Sequence, residues 1–165
     1  EDMFPGEEVI GYSGRMSSKK NIREILKLAE EMPDKKFVLV GEGPCREDWE
    51  ADAPENVEFR DFLDREELPV FYSSIDVFVT ASTCDTLGLS TLEANACGTP
   101  VVAPDEQPFD KTILEENGER FSFGIIEEMK EAAEKCLKER RDTRAAVEQY
   151  SLEKTIDRLE ELYEG

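Results

Sequence analysis

The stretch that decides the fold is Val77-Phe78-Val79-Thr80-Ala81, followed by Asp85-Thr86-Leu87-Gly88-Leu89-Ser90-Thr91-Leu92-Glu93 and then Gly98-Thr99-Pro100-Val101-Val102-Ala103. It reads as an apolar strand, a short loop with an acid and a glycine, a helix carrying a second acid, and another apolar strand. In an open parallel sheet, ligands bind where the carboxyl ends of strands meet the N-termini of helices. Backbone N–H groups at such a terminus favour an anion, phosphate above all. The two carboxylates, Asp85 and Glu93, suit hydroxyl groups rather than phosphates. Phosphate at the helix start and hydroxyls at the acids together predict a nucleotide-sugar pocket.

Outward from this segment, strands and helices alternate along the chain. Val9-Ile10-Gly11-Tyr12-Ser13 is a predicted strand, and Gly14 to Lys20 is its loop. A predicted amphipathic helix covers 21–32, with Ile22, Ile25, Leu26 and Ala29 on one face. Phe37 to Val40 is a buried strand that stops at Gly41-Glu42-Gly43-Pro44, and Val57 to Phe59 is a short third strand. Asp64-Arg65-Glu66-Glu67 has the spacing of a capping box before Leu68, Phe71 and Tyr72. Beyond the deciding stretch, a short helix is predicted over 111–116, closed by Asn117-Gly118. A longer helix follows over 125–139, and Ser151 is placed to cap a last one. Apolar strands alternating with helices imply a parallel sheet covered on both faces. The right-handed crossover rule makes it a doubly wound, Rossmann-like α/β domain.

Composition narrows the function. The 165 residues carry 40 acids against 20 bases, a net charge of −20, which argues against nucleic acid as a partner. It argues equally against docking of this domain on an anionic membrane surface. The acidity would suit a high-salt habitat, but the excess is mostly glutamate and lysine is not depleted. Apolar residues make up 39%, and no run of them reaches the ~18–20 residues of a membrane span. Cys45, Cys84, Cys97 and Cys136 form no C-x-x-C pair and histidine is absent, so no metal site is expected and the cysteines are read as reduced thiols of a cytosolic protein.

One segment inverts the charge. From Val9 to Arg23 there is no acid, whereas Arg15, Lys19, Lys20 and Arg23 are basic. Cations are unfavourable at a helix N-terminus, because the dipole is positive there as well, so the cluster points to an anionic ligand. Other residues keep two readings at this stage. Ser90-x-x-Glu93 is itself a capping box, which would make Glu93 structural. Gly88 either admits a ligand close to the backbone or permits a tight turn. Gly41-Glu42-Gly43-Pro44 is either a phosphate loop or a strand-to-helix turn with Pro44 at the first helical position.

The same residues resemble the C-terminal, donor-binding domain of the GT-B retaining glycosyltransferases of group 1 type. Gly14-Arg15-Met16 with Lys20 is similar to that family's "GRL…K" segment, and Val40-Gly41-Glu42-Gly43-Pro44 to its "VGxGP" turn. Ser74-Ile75-Asp76-Val77-Phe78-Val79, Gly98 to Ala103 and Tyr150-Ser151-Leu152-Glu153 match as well. Asp85 and Glu93, with seven residues between them, resemble the family's pair of glutamates. Three departures stand out: Asp85 in place of a glutamate, Asp61 where a glycine is usual, and Glu106-Gln107 where a glycine pair is frequent.

The resemblance implies that residues 1–165 are the C-terminal half of a hexosyltransferase that takes its donor from a nucleotide diphosphate sugar, with no separate cofactor. Arg15 and Lys20 would act on the donor diphosphate, Asp85 on the sugar and Glu93 on the ribose, with further substrate contacts at Gly14, Gly43, Phe62, Leu87, Gly88 and Leu89. It implies an N-terminal acceptor-binding domain outside this chain, any membrane contact being made through that domain. The chain alone would then be inactive. A cytoplasmic location is expected, the inner face of the membrane being one place for the full enzyme. The alternative is a non-catalytic nucleotide-sugar binding module. A receiver-type signalling domain is set aside, because Ser13-Gly14-Arg15 stands where it needs an acid pair.

Overall fold

A computed structural model describes residues 2–84, 88–139 and 143. Among the described residues, six strands and six α-helices follow in order: β1 (Val9–Ser13), α1 (Ile22–Glu31), β2 (Lys36–Val40), α2 (Arg46–Asp52), β3 (Val57–Arg60), α3 (Glu67–Ser74), β4 (Val77–Val79), α4 (Leu89–Ala96), β5 (Val101–Pro104), α5 (Phe109–Thr112), β6 (Gly118–Phe121) and α6 (Ile126–Lys138). A single 3-10 turn, Ser18–Lys20, precedes α1. The strands form one parallel sheet in the order β3-β2-β1-β4-β5-β6. The chain therefore winds outward from β1 in one direction and, after crossing back, outward from β4 in the other. The expected doubly wound α/β domain is what the structure shows, and its topological switch point lies between β1 and β4.

The strands are buried because helices cover both faces. β1, β4 and β5 are buried along their whole length, so each reads as a continuous apolar run rather than an alternating one. α1 packs against α6, and α3 against α4. Between α3 and the sheet lies an aromatic cluster. The Tyr72 ring sits 5.9 Å from Phe71 and 5.7 Å from Phe78, and Phe78 in turn stacks on Tyr12 at 6.0 Å. Tyr72 is held by its backbone as well, since its carbonyl accepts a 2.5 Å bond from the Thr99 hydroxyl. Among the described residues no helix is long and apolar enough to cross a membrane.

The capping box predicted at Asp64 is made. Its carboxylate accepts from the amides of Glu66 and Glu67 at 3.0 and 2.9 Å, and the Glu67 carboxylate accepts from the Asp64 amide at 3.4 Å. Two elements escaped sequence reading. α2 carries a single buried apolar residue, Trp49, and so has no periodic face to detect. β6 begins at Gly118, which pairs with Val101, so Asn117-Gly118 is not the stop of a helix over 111–116. The helix there is α5, four residues long and ending at Thr112. Asn117 instead closes the turn before β6: its side chain accepts from the Leu114 amide at 2.7 Å and donates to the Thr112 carbonyl at 2.8 Å. The last predicted helix, with Ser151 as its cap, lies outside the described residues.

Candidate functional site

At the carboxyl ends of the strands, the loop after β1 is fastened on two sides. Toward β2, the Gly14 amide donates to the Val40 carbonyl at 3.0 Å, the Met16 amide to Glu42 at 2.9 Å, and the Cys45 amide back to Met16 at 3.0 Å. Toward β4, the Asn21 side chain donates to the Ala81 carbonyl at 3.0 Å, and the Cys84 thiol bonds the Lys19 carbonyl at 3.5 Å. Asn21 adopts a left-handed conformation, φ 53°, to make that reach. These bonds hold the loops after β1 and β4 side by side across the switch point. Two segments 60 and more residues apart in sequence, the loop after β1 and the stretch from Ala81 to Cys84, are thereby held together at the switch point.

The placement of the candidate residues follows. Arg15 is exposed on the first loop, and its carbonyl accepts from the Tyr12 hydroxyl at 3.4 Å. Lys20 is half-buried at the end of the 3-10 turn. Arg23, the last cation of the acid-free stretch, pairs with Asp52 of α2 at 3.5 Å. Gly14 lies within the fastened segment. Gly43 packs where a Cβ would collide with the Met16 carbonyl, so the 41–44 segment is a strand-to-helix turn that receives the first loop. Its helix starts at Arg46, two residues later than the Pro44 expectation. Asp85 and Leu87 lie outside the described residues.

On the α4 side, Gly88 occupies the position before the helix with φ 62°, and a Cβ on it would come 2.7 Å from Phe109. A left-handed turn against an aromatic ring requires glycine here. The Thr91 hydroxyl, not Ser90, bonds the Gly88 carbonyl, at 2.5 Å. Ser90 is already inside α4, and no side chain caps the helix start. The Ser90-x-x-Glu93 capping box is therefore not formed. Glu93 is exposed on the second turn of α4, and Leu89 is partly exposed at its start.

Phe62 stands on the loop after β3 with 71% of its surface exposed, at the far edge of the same strand ends. The loop that carries it is anchored by Arg46, which escaped sequence reading. Its guanidinium bonds Asp61 at 2.7 Å, Glu50 at 2.6 Å, Glu42 at 3.1 Å and the Gly41 carbonyl at 3.1 Å. Burial opposes that charge, but the bonds to Glu50 and Asp61 prevail and hold the Arg46 pKa above its ordinary value. The bond from Arg46 likewise lowers the pKa of Asp61. The signal for this clamp was an arginine four residues from an acid on each side, within a helix too polar to notice.

Residues 2–154 match the family described as "Glycosyl transferases group 1". The chain belongs to that family. It is 31% identical over 160 residues to the sulfoquinovosyl transferase SQD2 of Arabidopsis thaliana, an alignment covering 92% of this chain and 30% of that protein. Anabaena HepE, solved in complex with UDP and glucose, superimposes with a TM-score of 0.76 at 20% identity, covering 87% of this chain and 44% of that one. The C-terminal domain of a group 1 glycosyl transferase (LpcC) from Francisella tularensis superimposes with a TM-score of 0.74 at 23% identity, covering 90% of this chain and 86% of that one. The chain spans under a third of the length of the curated relatives it matches. The two solved structures share the fold of this chain.

Proposed function

We propose that this chain is the donor-binding half of a retaining glycosyltransferase, which transfers a hexose from a nucleotide diphosphate sugar to an acceptor. The observation that carries the reading is the fastening of the loops after β1 and β4, in a group 1 family member, across the switch point where a parallel sheet binds its ligand. Arg15 and Lys20, on the first loop, offset the charge that grows on the leaving diphosphate. Glu93 takes the ribose hydroxyls and Asp85 orients the sugar, with the amides of Leu87 to Leu89 beside the phosphate. Gly14, Gly43 and Phe62 belong to the walls of the same pocket, Phe62 on the side of the base. The acceptor would be held by a further domain of the full enzyme, which accords with the short share of its relatives that this chain spans.

Calorimetric titration of the chain with UDP and GDP tests this reading. Weak binding of one of the two is expected, with Arg15→Ala and Lys20→Ala each weakening it. Incubation with labelled nucleotide sugars and simple acceptors should give no transfer above background, because orienting donor and acceptor together contributes on the order of 7–11 kcal/mol and needs both halves. Absence of any nucleotide binding at millimolar ligand would overturn the assignment.

A further inference from the structure

Phe62 is the most exposed large apolar side chain among the described residues, and the chain on either side of it is fixed. On one side the sheet ends at Arg60, whose carbonyl accepts from the Gly41 amide at 3.0 Å. The next residue, Asp61, accepts from the Arg46 guanidinium at 2.7 Å, and that guanidinium is itself held by Glu50 at 2.6 Å and by the Gly41 carbonyl at 3.1 Å. On the other side, Asp64 closes its capping box onto α3. Two residues remain between these anchors, and one of them, Leu63, packs against the core. The backbone of Phe62 is thus set while its ring stays exposed. Charge divides the same rim of the sheet. Three carboxylates, Glu42, Glu50 and Asp61, surround Arg46, whereas the loop after β1 carries Arg15 and Lys20 and no acid. Phosphate is repelled from the Phe62 end and drawn to the other. What suits an exposed aromatic ring at the acidic end is an uncharged planar group, and every nucleobase offers a π-face to stack on it.

We infer that Asp61 is the positioning residue for the base side of the pocket: its bond to Arg46 presets the loop after β3, so that the nucleobase of the donor meets the Phe62 ring as a fixed wall. A loop that had to be ordered when the ligand arrives would subtract that ordering from the affinity. A bond between two ionised partners is stronger than one between neutral groups, which suits it to hold a loop in water. The Asp61 side chain is 84% exposed, so it contributes this bond and little packing. The guanidinium beside it also lowers its pKa, which keeps the carboxylate charged and the clamp closed at neutral pH. The chain of contacts runs from α2 through Asp61 to the ring, and Asp61 itself touches no ligand.

The inference rests on the reading of the chain as a donor-binding domain, and the test separates the two. Affinity is measured by calorimetry for the wild-type chain, Asp61→Ala, Phe62→Ala and the double variant. The probes are UDP, GDP and inorganic pyrophosphate, which has the charge of the diphosphate and no base. Asp61→Ala should weaken the nucleotide about two- to tenfold, the loss expected when a segment must be ordered on binding. Pyrophosphate should bind it as well as the wild type, or more tightly. The direction is decisive, because removing an acid would by charge alone strengthen the binding of every anionic probe. In the Phe62→Ala background, Asp61→Ala should cause no further loss, since no ring is left to position. Unchanged or tighter nucleotide binding by Asp61→Ala would overturn the inference. A loss of equal size for pyrophosphate, or in both backgrounds, would overturn it too, since Asp61 would then act through the fold at large. Full nucleotide affinity in Phe62→Ala would remove the role of the ring, and the positioning role with it, while leaving the donor reading intact. Failure of the wild type to bind either nucleotide would remove the donor reading itself and this role with it.

Discussion

Asn21 offers the sharpest discrimination between what a sequence suggests and what the fold uses. It directly precedes α1, where asparagine and aspartate are about equally good caps. On that basis Asn21→Asp would be neutral, or stabilising by about 0.3–1 kcal/mol through the helix dipole. In the structure the Asn21 side chain makes no cap; it donates to the Ala81 carbonyl at 3.0 Å and ties α1 to the end of β4. Aspartate keeps the shape and tolerates the left-handed backbone, but has no proton to donate and sets its charge against a carbonyl oxygen. Losing the bond and leaving its acceptor unpaired costs about 1–3 kcal/mol, against which the dipole returns a fraction. The net expectation is a destabilisation of roughly 1–2 kcal/mol, or a melting temperature lower by about 2–8 °C for a domain of this size. Asn21→Ala should cost roughly a further 1 kcal/mol, because alanine pays for the left-handed conformation as well. Urea and thermal unfolding of the three proteins measure both steps. An Asn21→Asp variant as stable as the wild type would refute the idea that this side chain fastens the two loops.

Gly88→Ala should destabilise the chain by roughly 2–4 kcal/mol in urea, from a left-handed backbone and a Cβ driven against Phe109 2.7 Å away; a midpoint unchanged from wild type would show that the turn before α4 yields freely. Burial, helped by the charge of Glu93, pushes the Tyr72 phenol up to about 12, whereas an unfolded tyrosine titrates near 10. The folded chain then binds this proton more tightly than the unfolded one, so the stability it contributes is complete below about pH 10 and is lost as pH rises through 12. The difference in absorbance at 295 nm between wild type and Tyr72→Phe should show one phenol titrating near 12, and a midpoint near 10 would contradict its burial beside Glu93.

The alternation of strands and helices was readable because each buried strand here is a continuous apolar run and α1 and α6 have periodic faces. The motif 85–93 and the acid-free segment 9–23 were readable as candidate site residues from residue type alone. α2 and β6 were not, since REDWEAD has one apolar anchor and GERF has two charges and a glycine, and both are elements by virtue of what they pack against. The Asp64 capping box shows the opposite case, a local signature whose donors and acceptors all lie within four residues. Ser90-x-x-Glu93 has the same spacing and no box, because Gly88 and Phe109 start the helix one residue before Ser90.

By itself the sequence determined the local periodicities, the charge inversion of the first loop and the residue types available to meet a phosphate and a hydroxyl. Those properties depend on neighbours in the chain and survive without long-range contacts. Only the tertiary structure decided that Asn21 fastens the loops after β1 and β4, that Arg46 anchors the loop bearing Phe62, and that Gly43 is filled by Met16. Each of these joins segments that approach only when the sheet winds in the order β3-β2-β1-β4-β5-β6. The strand order, not the spacing along the chain, sets which side chains can meet.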